Sequence, residues 1–564
     1  MDAEPALGSI EDAEAIAFDI FDTLITRPFM RPRDLFLYLE NEFSIPGFAE
    51  ARIDAEHEAR KIDRETDLDG IYDCIDERYR PMKDTEIEEE IALSFSDPAA
   101  KELYERMRNL GKRIVLVSNM YLPPEAIGKI LDHCGYAGWE RMFVSCKEKK
   151  SKRNGLYAEV LGYLDIDPEK VTVIGDSKDD DFSVPISLGM EAYRWSPMSE
   201  RYFLSHPKEA KYFRKYPGYS ASAIAAMDML FQGEKNESYW HCVSRRFGGI
   251  ICTAFARFIE DNAGDSQKLF FLSRDSYLAM KAWEELYGGR DHGYLHTSRM
   301  IAKIFGFRDF SNRDTVVSMM NYLNEAGVPE GMQIPDSRQW KAFVSENREE
   351  IERAADAGHK RFGCYIEDMA EGADKIMVID ATTMKYTSQR DIQAYLAHKA
   401  VKGCYYAVTG KGGPEHVTFC DRAEQRLSSS YVNLTEFFMG SGELPLADIS
   451  EEGKPVFCKK APDNERKRRD VYPQIESGAM ECVTFWKSVF GCRIPKLDPE
   501  AIDGWLDVLM AEEHGNDPDK LSGMRWAVNT QHTKTRPLII RRTDIPALAL
   551  YKAIERLSFS KRRN

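Results

Sequence analysis

The run Ile16-Ala17-Phe18-Asp19-Ile20-Phe21-Asp22-Thr23-Leu24-Ile25 constrains this chain more than any other segment. An apolar stretch ends in a carboxylate, and a hydroxyl residue follows after a short gap. A strand buried on both faces reads this way when it lies inside a parallel sheet and delivers a side chain to the sheet's edge. An Asp placed there can act as a nucleophile on phosphorus or carbon. The expected class is therefore α/β, with helices covering a parallel sheet.

The rest of the chain divides by pattern. From Arg31 to about Glu105 apolar residues recur at helical spacing, as in Leu35, Leu39 and Phe43, or Ile71, Cys74 and Ile75. This predicts a helical cap over residues 27–105, inserted between core segments 10–26 and 106–200. The acidic stretch Glu86–Glu90 inside it reads as a solvated helix face. Residues 201–235 read as a polar, aromatic connector. A second α/β domain is expected at 236–432, with strands at Lys268–Leu272, Tyr294–Thr297, Lys375–Ile379 and Cys404–Val408. A mainly helical part, 433–564, is expected to pack on it.

Composition narrows the class. A chain of 564 residues is too long for one core. A net charge of -16 argues against non-specific nucleic-acid binding, and the runs Arg466–Arg469 and Lys561–Arg563 read as solvated residues. The 11 cysteines are scattered without a CxxC pair, which predicts neither a zinc site nor a disulfide framework. Reduced thiols, no visible signal peptide and no apolar span predict a cytoplasmic protein without a membrane span.

Three later segments extend the opening motif. Ser118 ends the strand Arg113–Val117 and leads into Asn119-Met120-Tyr121-Leu122-Pro123. Lys152 lies in Lys149-Lys150-Ser151-Lys152-Arg153-Asn154-Gly155-Leu156-Tyr157. Asp176 ends Val171-Thr172-Val173-Ile174-Gly175 and precedes Ser177-Lys178-Asp179-Asp180-Asp181. Each is a cap or solvated charge when read alone. Together, in this order, they resemble the haloacid dehalogenase (HAD) superfamily of hydrolases over residues 10 to about 200. The wording Phe-Asp-Ile-Phe-Asp-Thr-Leu with Val-Ser-Asn-Met-Tyr-Leu-Pro further resembles a predicted-hydrolase subgroup associated with bacterial surface-polysaccharide genes.

The resemblance implies a Rossmann-like core and a mechanism. Asp19 would be the nucleophile, with Thr23, Ser118 and Lys152 serving the catalytic site and binding phosphoryl oxygens. Asp19, the carbonyl of Phe21, Asp176 and either Asp180 or Asp181 would serve Mg²⁺, a hard cation that prefers oxygen ligands. Two departures matter. Phe21 occupies the place where the family usually carries an acid–base Asp, and Asn119 stands where Asp is usual. The proton would then come from Asp22 or from a cap carboxylate such as Glu56, or the leaving group would need none. Phosphoanhydrides, acyl phosphates and carbon–halogen bonds are of that kind. General acid catalysis is typically worth ~10²–10⁴-fold, so a weakly active domain is the remaining alternative.

The second region repeats the form of a strand, a polar turn and a helix. Arg274, Asp275, Arg299 and Asp380 fall at three strand ends, where α/β sheets place ligands. They suggest a second ligand site for a phosphate or sugar nucleotide, set against ordinary ion pairing and helix capping. The expected activity is that of a Mg²⁺-dependent phosphatase or phosphoanhydride hydrolase on a phosphorylated small molecule or sugar-linked metabolite, in cell-surface polysaccharide metabolism. The alternatives are a binding or scaffold role among glycan-assembly proteins, and a transferase whose site lies in the second domain.

Overall fold

The computed structural model describes residues 10–231, 237–298, 301, 313–326, 332–422, 429–459, 463–513, 517–527 and 535–540. The chain divides into two units, Met1–Gln232 and Gly233–Asn564. Arg299 and the basic run Lys561–Arg563 lie outside the described residues.

The first unit is built on β1 (Ala15–Phe18), all four residues of which are buried. Its Ala15 and Ala17 share a core cluster with Val115, Val117, Tyr157, Val160 and Leu164. Small side chains on that face let a helix pack closely. Phe18 contacts Tyr104, ring centroids 5.5 Å apart. After β1 the chain enters β2 (Ile25–Thr26), which pairs antiparallel with β3 (Phe95–Ser96) and closes a helical insertion. The insertion holds α1 (Asp34–Glu42), α2 (Phe48–Ile62), α3 (Leu68–Asp73) and α4 (Met82–Ala92). The chain then re-enters the core through α5 (Pro98–Asn109), which starts where the Asp97 carboxylate accepts bonds from the amides of Ala99 and Ala100.

The remaining strands are β4 (Arg113–Ser118), β5 (Arg141–Val144), β6 (Val171–Gly175) and β7 (Glu191–Arg194). The sheet order is β5-β4-β1-β6-β7, parallel throughout. The chain moves outward from β1 in one direction and returns to continue in the other. This is a Rossmann-like core with its switch point between β1 and β6, the place where such sheets hold ligands.

Several expectations change, among them the basic run Arg466–Arg469 read as solvated, whose Arg468 is only 2% exposed. Glu86, Glu89 and Glu90 are not a solvated face: they are 0%, 5% and 2% exposed. Arg52 donates to Glu86 at 2.7 and 2.8 Å, the Tyr72 hydroxyl adds a bond at 2.7 Å, and Arg27 pairs with Glu90 at 2.9 Å. Local composition does not reveal these cations, because they come from distant parts of the chain. The expected connector is also structured. Helices α6 (Met198–Ser205), α7 (Pro207–Lys215) and α8 (Tyr219–Leu230) belong to the first unit. Tyr219 stacks on Phe29, and the Ser222 hydroxyl accepts from the Met30 amide at 2.8 Å.

The second unit contains β8 (Lys268–Leu272), β9 (Asp291–Leu295), β10 (Lys375–Thr383), β11 (Ala400–Val408) and β12 (His416–Asp421) in the order β12-β11-β10-β8-β9. All pairs are parallel, so this is a second doubly wound sheet, switching between β8 and β10. β10 and β11 are longer than expected, β9 lies slightly earlier, and β12, whose residues are mostly only half-buried, has no long apolar run to announce it. The described residues from 433 onward are mainly helical, with Asp463–Phe490 and Pro499–Glu512 as the longest helices there. Among the described residues no helix is long and apolar enough to cross a membrane.

Candidate active site

The site grows from the end of β1. The Asp19 amide donates to the Ile174 carbonyl at 2.9 Å, which holds the residue against the end of β6. The chain then folds back tightly. The Leu24 and Ile25 amides both donate to the Ile20 carbonyl, and Asp22 adopts a left-handed backbone with φ 61°. Gly meets that requirement freely, and Asp tolerates it better than most residues do. The return of the chain brings the Thr23 hydroxyl to Asp19 Oδ2, at 2.8 Å. Phe21 turns its ring to the Arg27 guanidinium, 4.8 Å from the centroid, and offers no side-chain proton.

The later motifs converge on Asp19. Ser118 closes β4, 2% exposed, at the same sheet edge. The Lys152 amide donates to Asn119 Oδ1 at 2.9 Å, so Asn119 fixes the lysine loop. Lys152 Nζ then lies 2.5 Å from Asp19 Oδ1 and 2.6 Å from Asp181 Oδ1. Its neighbours point elsewhere: Lys149 pairs with Asp63 at 2.7 Å and Lys150 with Glu159. Asp176 follows β6 directly, beside Asp19.

The structure also separates the two later carboxylates. Asp181 is 1% exposed and accepts from the Tyr157 hydroxyl at 2.8 Å and from the Ser177 amide at 3.2 Å. It reaches this position because residue 175 is Gly: a Cβ there would stand 2.4 Å from the Asp181 carboxyl carbon. Asp180 turns outward to Arg153 and to Asn119 Nδ2, the latter at 3.2 Å. Asp181 is thus the inner carboxylate, and Asp180 supports the loops around it. Glu56, the cap carboxylate considered as a proton source, is bound to Arg60 at 2.9 Å and to Arg52 at 3.5 Å.

Burial dominates the electrostatics. It pushes the Asp19 carboxyl up to about 7; Lys152 opposes the shift, and Asp181 and Asp176 add to it. Asp176 rises to about 6, again chiefly by burial, with Asp22 and Asp181 contributing and Lys152 opposing. Asp22 is raised by burial against the pull of Arg27, with Glu90 adding. Lys152 shifts upward, because its two carboxylates outweigh its own burial.

One oxygen from each of Asp19, Asp176 and Asp181 lies within 4.8 Å of the others. Oxygens around an octahedral Mg²⁺, bound at ~2.1 Å each, span at most twice that distance, so the donor set fits such an ion. Sequence reasoning did not assign Tyr157, Asn119 or Arg27. Tyr157 carried one signal, its place at the end of the lysine motif.

The second group of predicted residues is partly brought together. β8 and β10 are adjacent, with Phe271 opposite Ile379; Arg274 follows the end of β8, but Asp380 lies within β10, which runs on to Thr383, and does not end its strand as expected. Arg274 is engaged with Glu465 at 2.9 Å and with the Glu443 carbonyl at 3.1 Å. Asp380 Oδ1 accepts from the Ala381 amide at 2.9 Å. Asp275 sits half-buried in the turn after β8.

No protein-family model and no curated protein matches this chain. Among solved structures it is similar to an L-2-haloacid dehalogenase, with 16% identity and a TM-score of 0.25 over 32% of this chain and 85% of that one. It is also similar to a HAD family enzyme from Bacteroides thetaiotaomicron, with 18% identity and a TM-score of 0.26 over 32% of this chain and 93% of that one.

Proposed function

We propose that the first unit is a HAD-type hydrolase in which Asp19 is the nucleophile. The observation that carries this reading is the convergence of Thr23, Lys152, Asp176 and Asp181 on one buried carboxylate at the switch point of the sheet. In this reading Asp19 attacks phosphorus and forms an aspartyl-phosphate, while Ser118 and Lys152 hold the phosphoryl oxygens. Asp19, Asp176, Asp181 and the Phe21 carbonyl would hold Mg²⁺, which offsets the negative charge of substrate and carboxylates when bound. Lys152 balances only part of that charge.

Phe21 selects among substrates. Without a proton donor at that position, the leaving group should be one that departs as a stable anion, such as that of a phosphoanhydride or acyl phosphate. Asp22, raised by burial and close to Asp176, is the carboxyl best placed to serve poorer leaving groups. A cytoplasmic substrate from surface-polysaccharide metabolism, and glycan-assembly partners, belong to this proposal through the motif wording alone.

A second reading follows from Lys152. Its ammonium bridges Asp19 and Asp181, so the nucleophile is already held by a cation supplied by the chain. That arrangement suits displacement at carbon, where halide leaves without a proton and no phosphoryl charge needs a metal.

One screen tests both readings. Wild type and Asp19→Asn are assayed on acyl phosphates, nucleotides and sugar phosphates with Mg²⁺, and on 2-haloacids with EDTA. Metal-dependent release of phosphate that disappears in Asp19→Asn supports the first reading. Metal-independent release of halide supports the second. Full activity in Asp19→Asn overturns both.

A further inference from the structure

A cavity of about 470 Å³ lies in the second unit, lined by Tyr277, Ser441, Glu443, Arg469, Asp470 and Tyr472 among others. That is the size of a small-molecule site. It sits at the carboxyl end of β8, where doubly wound sheets hold ligands. Tyr277 opens the helix that follows this strand, and the Ser441 amide bonds to the Arg274 carbonyl at 2.9 Å.

The charge of the lining sets the sign of its ligand. Two carboxylates, Glu443 and Asp470, stand against one guanidinium, Arg469. Glu443 is held in place by neutral groups: its Oε2 accepts from the Tyr294 hydroxyl at 3.0 Å and from the Ser441 hydroxyl at 3.2 Å. Arg274 donates to its backbone carbonyl at 3.1 Å, while the guanidinium charge is met by Glu465 at 2.9 Å. His296, whose charged form Glu443 favours, is pushed toward neutrality by burial. Arg469 is exposed, and its Nε donates to the Gly442 carbonyl at 3.2 Å. Among the described residues no Lys or Arg side chain pairs with the carboxylate of Glu443 or of Asp470. A fixed carboxylate without a counter-ion favours a cation beside it.

The aromatic walls suit an organic cation. The rings of Tyr277 and Tyr472 have centroids 6.4 Å apart. Such faces attract ammonium groups and pack apolar bodies. The chain itself shows this pairing at the same wall: Lys281 Nζ lies 5.7 Å from the Tyr277 centroid and 2.6 Å from Glu476. The cavity offers the same two elements, a tyrosine face and a carboxylate, without a lysine to fill them.

We infer that this cavity binds a small organic cation, with its ammonium group on Glu443 and Asp470 and its apolar body against Tyr277 and Tyr472. The ligand uses only groups that line the cavity. The site is separate from the Asp19 centre and from the activity proposed for it.

The full chain is titrated calorimetrically with phenethylamine, and with 2-phenylethanol and phenylacetate as its neutral and anionic counterparts. The amine should bind at least about tenfold more tightly than either. Glu443→Gln removes the charge and keeps acceptors for both hydroxyls; amine affinity should fall roughly tenfold, the loss expected for a charged hydrogen bond. Asp470→Asn, at an exposed position, should weaken the amine without lowering the melting temperature. Arg469→Gln should tighten it, because a like charge is removed. A purely structural role for these residues would not give opposite signs. The inference is overturned if the amine binds no more tightly than the alcohol, if Glu443→Gln and Asp470→Asn both bind as wild type does, or if Arg469→Gln weakens the amine. Loss of amine binding in Asp181→Ala with retention in Glu443→Gln would place the amine on the Asp19 centre and overturn it as well.

Discussion

Lys152 Nζ stands 2.5 Å from Oδ1 of Asp19, and both side chains are buried. The lysine orients the carboxylate and supplies part of its counter-charge. The second contact of the lysine, with Asp181 at 2.6 Å, ties Asp19 to the loop after β6.

Removing the lysine should therefore affect stability and activity together. Breaking one side of a buried ion pair costs about 3–5 kcal/mol. Lys152→Met should lose stability of that order and catalysis by at least ~10²-fold. Denaturant titration and kcat/KM on the best substrate from the screen measure the two effects.

The inner carboxylate should be distinguishable from its neighbour. Asp181→Ala removes a member of the cluster with Asp19 and Asp176 and should abolish Mg²⁺ binding measured by calorimetry. Asp180→Ala loses bonds to Asn119 and Arg153 and should keep Mg²⁺ binding within about tenfold of wild type.

Metal-free stability should depend on pH with a definite sign. The folded-state value for Asp19 is raised from 3.8 to about 7, so the folded state binds more protons than the unfolded one in this interval. The contribution is fully present below the unfolded value and is lost as pH rises through the folded value. Melting in EDTA should show wild type losing stability relative to Asp19→Asn from about pH 4 to about pH 7. Mg²⁺ should restore more stability at the alkaline end than at the acid end.

Asp22 provides a backbone test. Its φ of 61° suits Gly and opposes β-branched residues. Asp22→Gly should keep or raise the stability of the protein, whereas Asp22→Val should lower it by about 1–2 kcal/mol. Chemical denaturation of the two variants decides.

The cap offers a contrast within one helix. Glu86 is fully buried against Arg52 and Tyr72, whereas Glu88 is exposed. Glu86→Ala should cost about 3–5 kcal/mol. Glu88→Ala should stay within ~0.5 kcal/mol. Equal effects would contradict the buried network.

The sequence by itself determined the α/β class, the central strand with Asp19 at its end, the helical insertion and the candidate set Asp19, Thr23, Ser118, Lys152 and Asp176. These were legible because apolar strands with polar ends are local patterns, and each motif lies within a few residues of chain. Only the tertiary structure decided that Lys152, rather than Lys149 or Lys150, reaches Asp19, and that Asp181, rather than Asp180, faces inward. It alone showed that Glu86 and Glu90 are buried, and that Asn119 joins the lysine loop to the Asp180 loop. Each of these outcomes depends on which distant charge a side chain meets, and on whether a glycine such as Gly175 leaves room for the approach. Neither is written in the spacing of neighbouring residues.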